Sequence, residues 1–189
     1  MNSWITFKQE LHTKLQSLLP SSPLGEGERL SHFRAHSARE TVVMMLCALI
    51  IGAGSGVLAV SLNWGVHFLQ ESILFLPDIG QILMPALGAG LAVFMIRNLL
   101  RDPSGHGVPE VIHAVLHDAR NLKKRMIFSR FFGSLFTVGT GNSAGLEGPT
   151  VCIGAAWGAV VARWLNTNER RSKLLLGYGV AGAVAGIFN

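Results

Sequence analysis

Cysteine is nearly absent. Cys47 and Cys152 are the only two in 189 residues, and each lies inside an apolar run. That argues against a disulfide framework or a cysteine metal site and predicts two reduced core thiols. Charge is scarce as well: charged residues are 14% of the chain against 49% hydrophobic, with mean hydropathy +0.40. Such a composition is too apolar for an ordinary soluble domain and indicates a multi-pass membrane protein. An early apolar core for a cleaved signal peptide is also missing, because residues 1–40 are polar and broken at Pro20-Ser21-Ser22-Pro23. Ile5, Phe7, Leu11, Leu15, Leu18 and Leu19 recur at loosely helical spacing there, compatible with a short amphipathic helix or with disorder. The net charge of +5 does not form one basic stripe, so no nucleic-acid partner is expected.

What is present is a set of long uncharged runs. Residues 41–70 carry no charge and predict one long, tilted membrane helix, with Gly52, Ala53, Gly54, Ser55 and Gly56 as its packing face. These glycines imitate a dinucleotide loop, but no strand is predicted before them. Residues 79–96 predict a second span, with Pro85 in its first turns, where proline costs least. All 16 Lys and Arg residues lie in four places: before Thr41, and within 97–101, 120–130 and 163–173. The segment 71–78 has acids and no bases. By the positive-inside rule it lies outside and the basic places inside, with a cytoplasmic N-terminus. The expected organisation is a cytoplasmic segment, 1–40, followed by a membrane domain, 41–189.

Two segments then enter and leave on the same side. Between Arg130 and Arg163 lie 32 residues, 131–162, of which only Glu147 is charged. A full crossing needs about 20 residues, so these supply two short passes. The stretch Gly139-Thr140-Gly141-Asn142-Ser143-Ala144-Gly145-Leu146-Glu147-Gly148-Pro149 becomes the tip of a hairpin at membrane depth. Residues 103–120 predict a shorter re-entrant helix of about three turns. Broken helices inside a membrane mark an ion or substrate site.

The tips end alike, in Gly105-His106-Gly107-Val108-Pro109-Glu110 and Gly145-Leu146-Glu147-Gly148-Pro149. Glycines allow a tight turn that exposes N–H groups, and proline fits the first turn of the helix that follows. A helix start aimed into the membrane offers unpaired N–H groups and partial positive charge, which suits an anion. Glu147 can occupy that site when ionised and swing away when protonated, acting as a gate and a possible proton carrier.

On these motifs the chain resembles the CLC family of chloride channels and proton-coupled chloride antiporters. Gly105-His106-Gly107-Val108-Pro109 is close to that family's G-S-G-I-P, and Gly145-Leu146-Glu147-Gly148-Pro149 to its G-[KR]-E-G-P. Arg130-Phe131-Phe132-Gly133 and the closing Gly186-Ile187-Phe188-Asn189 resemble further family stretches. The resemblance implies an all-α membrane protein with the inverted-repeat fold of tilted and re-entrant helices, first repeat only, apparently truncated at 189. It implies chloride or a similar anion and protons as partners, a homodimer in membrane lipid, an inner-membrane location, no cofactor and no enzyme activity. It assigns gating to Glu147 and anion binding to Gly105, His106, Gly107, Val108, Pro109, Gly145, Leu146, Gly148 and Pro149. Channel and antiporter both stay open, because the deciding residues would lie beyond Asn189.

His106 stands where the family has serine, and Leu146 where it has a basic residue. The imidazole either donates to the anion or turns away, which leaves another anion such as fluoride open, and Leu146 weakens the positive potential at the outer mouth. Gly141-Asn142-Ser143-Ala144-Gly145 also matches the nucleophile elbow of serine hydrolases, with Ser143 as nucleophile, but that motif needs a preceding strand. His113 and His117 are spaced i,i+4 and read as a polar or interfacial face rather than a metal pair. Trp64, Trp157 and Trp164 read as interfacial anchors. If the imidazole contacts the ion, His106→Ser shifts selectivity toward chloride, as measured by competing-anion flux.

Overall fold

The computed structural model describes the backbone of residues 26–101 and 107–188, with side chains from residue 39 onward within those limits. The amphipathic segment from Ile5 to Leu19, together with Gly105, His106 and Asn189, lies outside the described residues. The chain divides into two compact units, Met1–Val43 and Met44–Asn189, and the packing described below belongs to the second.

The elements are α1 (Glu26–Leu74), α2 (Asp78–Phe94) running into a π-helical turn (Met95–Leu99), α3 (Val108–His117), α4 (Arg125–Gly139), α5 (Glu147–Trp164) and α6 (Glu169–Phe188). No strand occurs among the described residues. Arg39–Leu74 and Asp78–Leu99 are long and apolar enough to cross a membrane, and each contains an 18-residue stretch of mean hydropathy 2.4 and 1.9, respectively. Most of their apolar side chains face outward, among them Leu49, Ile50 and Phe68 on α1 and Ile79, Ile82 and Leu87 on α2. In lipid that outward apolar surface is the expected arrangement; in water it would be an association hazard.

Pro85 departs from the expected position. It lies inside α2 rather than in its first turn. The helix starts at Asp78, one residue before the apolar run, because Pro77 with φ −58° and ψ 153° supplies the N-cap. Pro85 therefore falls in the third turn, where its missing N–H leaves the Gln81 carbonyl without a helical donor.

α5 is the central helix. Cys152, Ile153, Ala155, Ala156, Ala159 and Ala162 are all buried, and the main core gathers around them from α1, α3 and α4. α6 lies against α5 and α1 with almost no side chain between. A Cβ at Gly154 would meet the Gly179 carbonyl and lie 2.7 Å from the Ala183 Cβ; one at Gly158 would lie 2.7 Å from the Leu176 Cα. On the other face, a Cβ at Gly182 would lie 2.5 Å from the Gly52 carbonyl, and one at Gly186 2.9 Å from the Gly56 carbonyl. Three Gly-x-x-x-Gly pairs (52 and 56, 154 and 158, 182 and 186) thus bring backbones together, which is how membrane helices gain dispersion contact without a hydrophobic driving force. Of the expected packing face, Gly52, Ser55 and Gly56 meet α6, whereas Ala53 is exposed.

Trp157 is not an interfacial anchor. Its indole lies on the bare backbone at Gly54, where a Cβ would come 2.6 Å from Nε1. It is half-buried, while Trp64 and Trp164 are exposed. Cys152 is buried and Cys47 half-buried, both as free thiols.

Gly154→Val is expected to destabilise the fold by roughly 1–3 kcal/mol through overpacking. Gly177→Ala, which meets nothing within 4 Å, leaves stability unchanged or raised. Thermal unfolding of the two variants in detergent checks the difference.

Candidate functional site

α4 ends at Gly139 and α5 begins at Glu147, so residues 140–146 form a tip between two short helices. The two sides of this tip are treated differently. At the α4 end the carbonyls of Phe136, Thr137 and Val138 are satisfied. Gly141 N–H donates to the Val138 carbonyl at 3.0 Å and Asn142 N–H to the Thr137 carbonyl at 3.3 Å. Gly141 takes φ 101°, a region that favours glycine. The Thr140 hydroxyl donates to the Phe136 carbonyl at 2.7 Å, and the Gln70 amide reaches from α1 to the Val138 carbonyl at 3.2 Å.

Asn142 completes this arrangement. Its side-chain amide donates to the Thr137 carbonyl at 2.9 Å and, across to α2, to the Pro85 carbonyl at 3.0 Å. Thr140 fits against the bare backbone of Gly88 on α2. The tip is therefore fixed to the second span at two points.

At the α5 end the donors are left open. Leu146 is the N-cap and makes no side-chain capping bond. Thr150 donates to the Leu146 carbonyl through its N–H at 3.0 Å and its hydroxyl at 2.6 Å. Pro149 has no N–H, and the amides of Glu147 and Gly148 find no acceptor among the described residues. They carry the positive end of an 18-residue helix.

α3 begins in the same manner. Gly107 is its N-cap with φ 58° and ψ −123°, Pro109 sits in the first turn, and no side chain caps it. That backbone conformation is strained for any residue with a Cβ. Val108 then meets the other helix start: its Cγ2 lies 3.9 Å from the Cβ position of Gly148. Val108 and Leu146 both pack on the main core. Of the residues singled out from the sequence, Gly107, Val108 and Pro109 form one helix start and Gly145, Leu146, Glu147, Gly148 and Pro149 the other, joined at Val108 and Gly148. Gly105 and His106 lie outside the described residues.

Glu147 is exposed, and its carboxylate folds back over Gly145, into the volume a Cβ there would occupy. Ser143 is exposed in the tip with a helix, not a strand, before it, so the strand–turn–helix context of a hydrolase elbow does not occur. His113 and His117 are exposed on α3, their rings stacked at 4.2 Å. Sequence reasoning passed over Asn142, Gln70 and the Pro85 carbonyl. The available signal was an amide side chain at the turn of an uncharged run, where a backbone has few other partners.

An all-helical membrane protein with two uncapped helix starts meeting at a fixed tip is the architecture of an ion-handling protein of the broken-helix class. Residues 88–189 match the family described as voltage gated chloride channel, and the chain belongs to that family. It is 30% identical over 189 residues to the H(+)/Cl(-) exchange transporter ClcA of Vibrio vulnificus, covering 93% of this chain and 39% of that protein. With the transporter of the same name from Yersinia pestis the identity is 27% over 179 residues, 87% of this chain and 37% of that one. The fold matches a slow cyanobacterial Cl-/H+ antiporter with a TM-score of 0.63 at 19% identity, over 76% of this chain and 36% of that one. The chain spans a little under two fifths of the length of these relatives.

Asn142→Ala is expected to destabilise the protein by about 1–2 kcal/mol through loss of donors to buried carbonyls. Asn142→Asp, nearly isosteric, is expected to cost more, since it turns an acceptor toward the Pro85 and Thr137 carbonyls. Thermal unfolding that ranks wild type above Ala and Ala above Asp checks this.

Proposed function

We propose that the chain is the N-terminal part, the first repeat, of a protein that carries chloride across a membrane, with the starts of α3 and α5 flanking the anion path and Glu147 as its gate. The observation that carries this reading is the meeting of the two uncapped helix starts at Val108 and Gly148, with the Glu147 carboxylate exposed beside them. Open N–H groups and two converging positive helix ends favour an anion without a fixed cation, so binding stays weak enough for release. Gly107, Val108, Pro109, Gly145, Leu146, Gly148 and Pro149 form this path, and the family resemblance adds Gly105 and His106, which precede Gly107 in sequence.

Glu147 competes for the same donors. Ionised, its carboxylate takes the place of an anion; protonated, it folds away over Gly145 and the path opens. Binding of a proton and departure of the carboxylate are then one event, which supplies a coupling between proton and chloride movement. The relatives named as exchange transporters favour antiport over a passive channel. The reading includes residues 1–40 as a cytoplasmic segment, 41–189 as the membrane part, an inner-membrane location and a homodimer of the complete protein.

The test is chloride flux from proteoliposomes of the full-length protein under an imposed proton gradient. Wild type is expected to drive chloride uphill. Glu147→Gln, a fixed mimic of the protonated side chain, is expected to keep passive chloride flux and lose its dependence on the gradient. A variant that remains proton-coupled removes Glu147 from the gate, and absence of chloride flux in both removes the reading.

A further inference from the structure

A second concentration of charge lies away from the tips, at the opposite end of α5. A cavity of about 680 Å³ is lined by Arg101, Lys123, Lys124, Arg125, Val160, Arg163 and Trp164. Five of these seven are cations and none is an acid. Asp118, two residues before Arg120, already accepts the Arg120 amide at 3.0 Å, and Asp102, next to Arg101 in sequence, lies outside the described residues.

The cavity is built into the fold. Arg163 donates to the carbonyls of Arg120 and Leu122 at 3.1 and 2.8 Å, which ties the basic loop to the last turn of α5. Arg120 reaches the Thr167 carbonyl at 3.4 Å and draws the same loop toward the α5–α6 connection. Lys124 is the N-cap of α4, whose first turn has no side-chain cap. Arg101, Lys123, Lys124 and Arg125 have no ion-pair or hydrogen-bond partner among the described residues. Five cations held around one concavity repel one another, and the positive end of α4 adds to that potential. The arrangement calls for a polyatomic anion.

Size and position select its source. At about 30 Å³ per water the cavity holds roughly 20 waters, far more room than one halide requires. The span Asp78–Leu99 ends two residues before Arg101, and the indole of Trp164 is exposed at the cavity wall. An aromatic edge beside a basic cluster at the end of a span lies at headgroup depth, where such pockets take anionic lipids. We propose that this cavity is a binding site for the phosphate headgroup of an anionic phospholipid, which screens the cluster and fixes the ends of α4 and α5 at the membrane surface.

The experiment uses delipidated full-length protein and reads thermal stability and lipid retention, so it does not depend on transport. Phosphatidylglycerol is expected to bind and raise the unfolding temperature; phosphatidylcholine and soluble inorganic phosphate are not. The Lys123→Gln/Lys124→Gln/Arg125→Gln variant is expected to bind phosphatidylglycerol more weakly by roughly fivefold for each cation removed. If that variant fails to fold, Arg101→Gln alone gives the single-charge loss. Lys173→Gln, whose ammonium pairs with Glu169 at 3.0 Å outside the cavity, leaves binding unchanged. Equal effects of phosphatidylcholine and phosphatidylglycerol, equal binding by wild type and the cavity variants, or the same stabilisation by inorganic phosphate each overturn the proposal.

Discussion

At membrane depth there is no water to complete a backbone's hydrogen bonds, and every exposed N–H or carbonyl costs several kcal/mol. That constraint decides the construction of the α4–α5 hairpin. Of the carbonyls released where α4 ends, those of Phe136, Thr137 and Val138 are claimed, by Gly141, Asn142, Thr140 and, from another helix, Gln70. The donors released where α5 begins are not, among the described residues. The two halves of one turn are thus built differently, the first closed by the chain's own side chains and the second without a side-chain cap. Pro85 in α2 belongs to the same account: its carbonyl is the anchor that Asn142 uses, which fixes the tip to the second span.

Glycine does two separate jobs here. At Gly107 it permits a backbone conformation that launches α3 toward α5. At Gly145 it yields space instead, to the Glu147 carboxylate. The first concerns torsion and the second volume. A sequence motif that shows only Gly and Pro does not distinguish them.

Much of the architecture was legible because charge is so sparse. The cation clusters at 97–101, 120–130 and 163–173 lie near helix ends, whereas Arg29, Arg34 and Arg39 fall inside α1, which starts at Glu26 rather than at the expected residue 41; the 32 residues around Glu147 turn back at residues 140–146. The short α3 followed from the same count. What stayed hidden was pairing between helices distant in sequence. Trp157 looked like an anchor because aromatic residues near a run's end often are, and only the bare backbone at Gly54 shows where the ring goes. Pro85 looked harmless because an apolar run was taken as the helix, whereas Pro77 starts it earlier. Asn142 carried no periodicity to give it away, since its partners lie on α2 and at the end of its own helix.

The backbone contact of α6 with α1 also bears on how the protein is made. Gly52 and Gly182 are about 130 residues apart, so α1 leaves the ribosome long before α6 exists. During that interval α1 sits in lipid and then meets α4 and α5, which pack on Leu62, Val66 and Gly54 before α6 is made. Its outward apolar side chains, in a stretch of mean hydropathy 2.4, suit it to lipid. α6, with Glu169, Arg170, Arg171 and Lys173 at its start, arrives to a groove of small residues already in place. The order of synthesis thus assigns α1 the role of template, and the flatness of its glycine face keeps that template open until α6 docks.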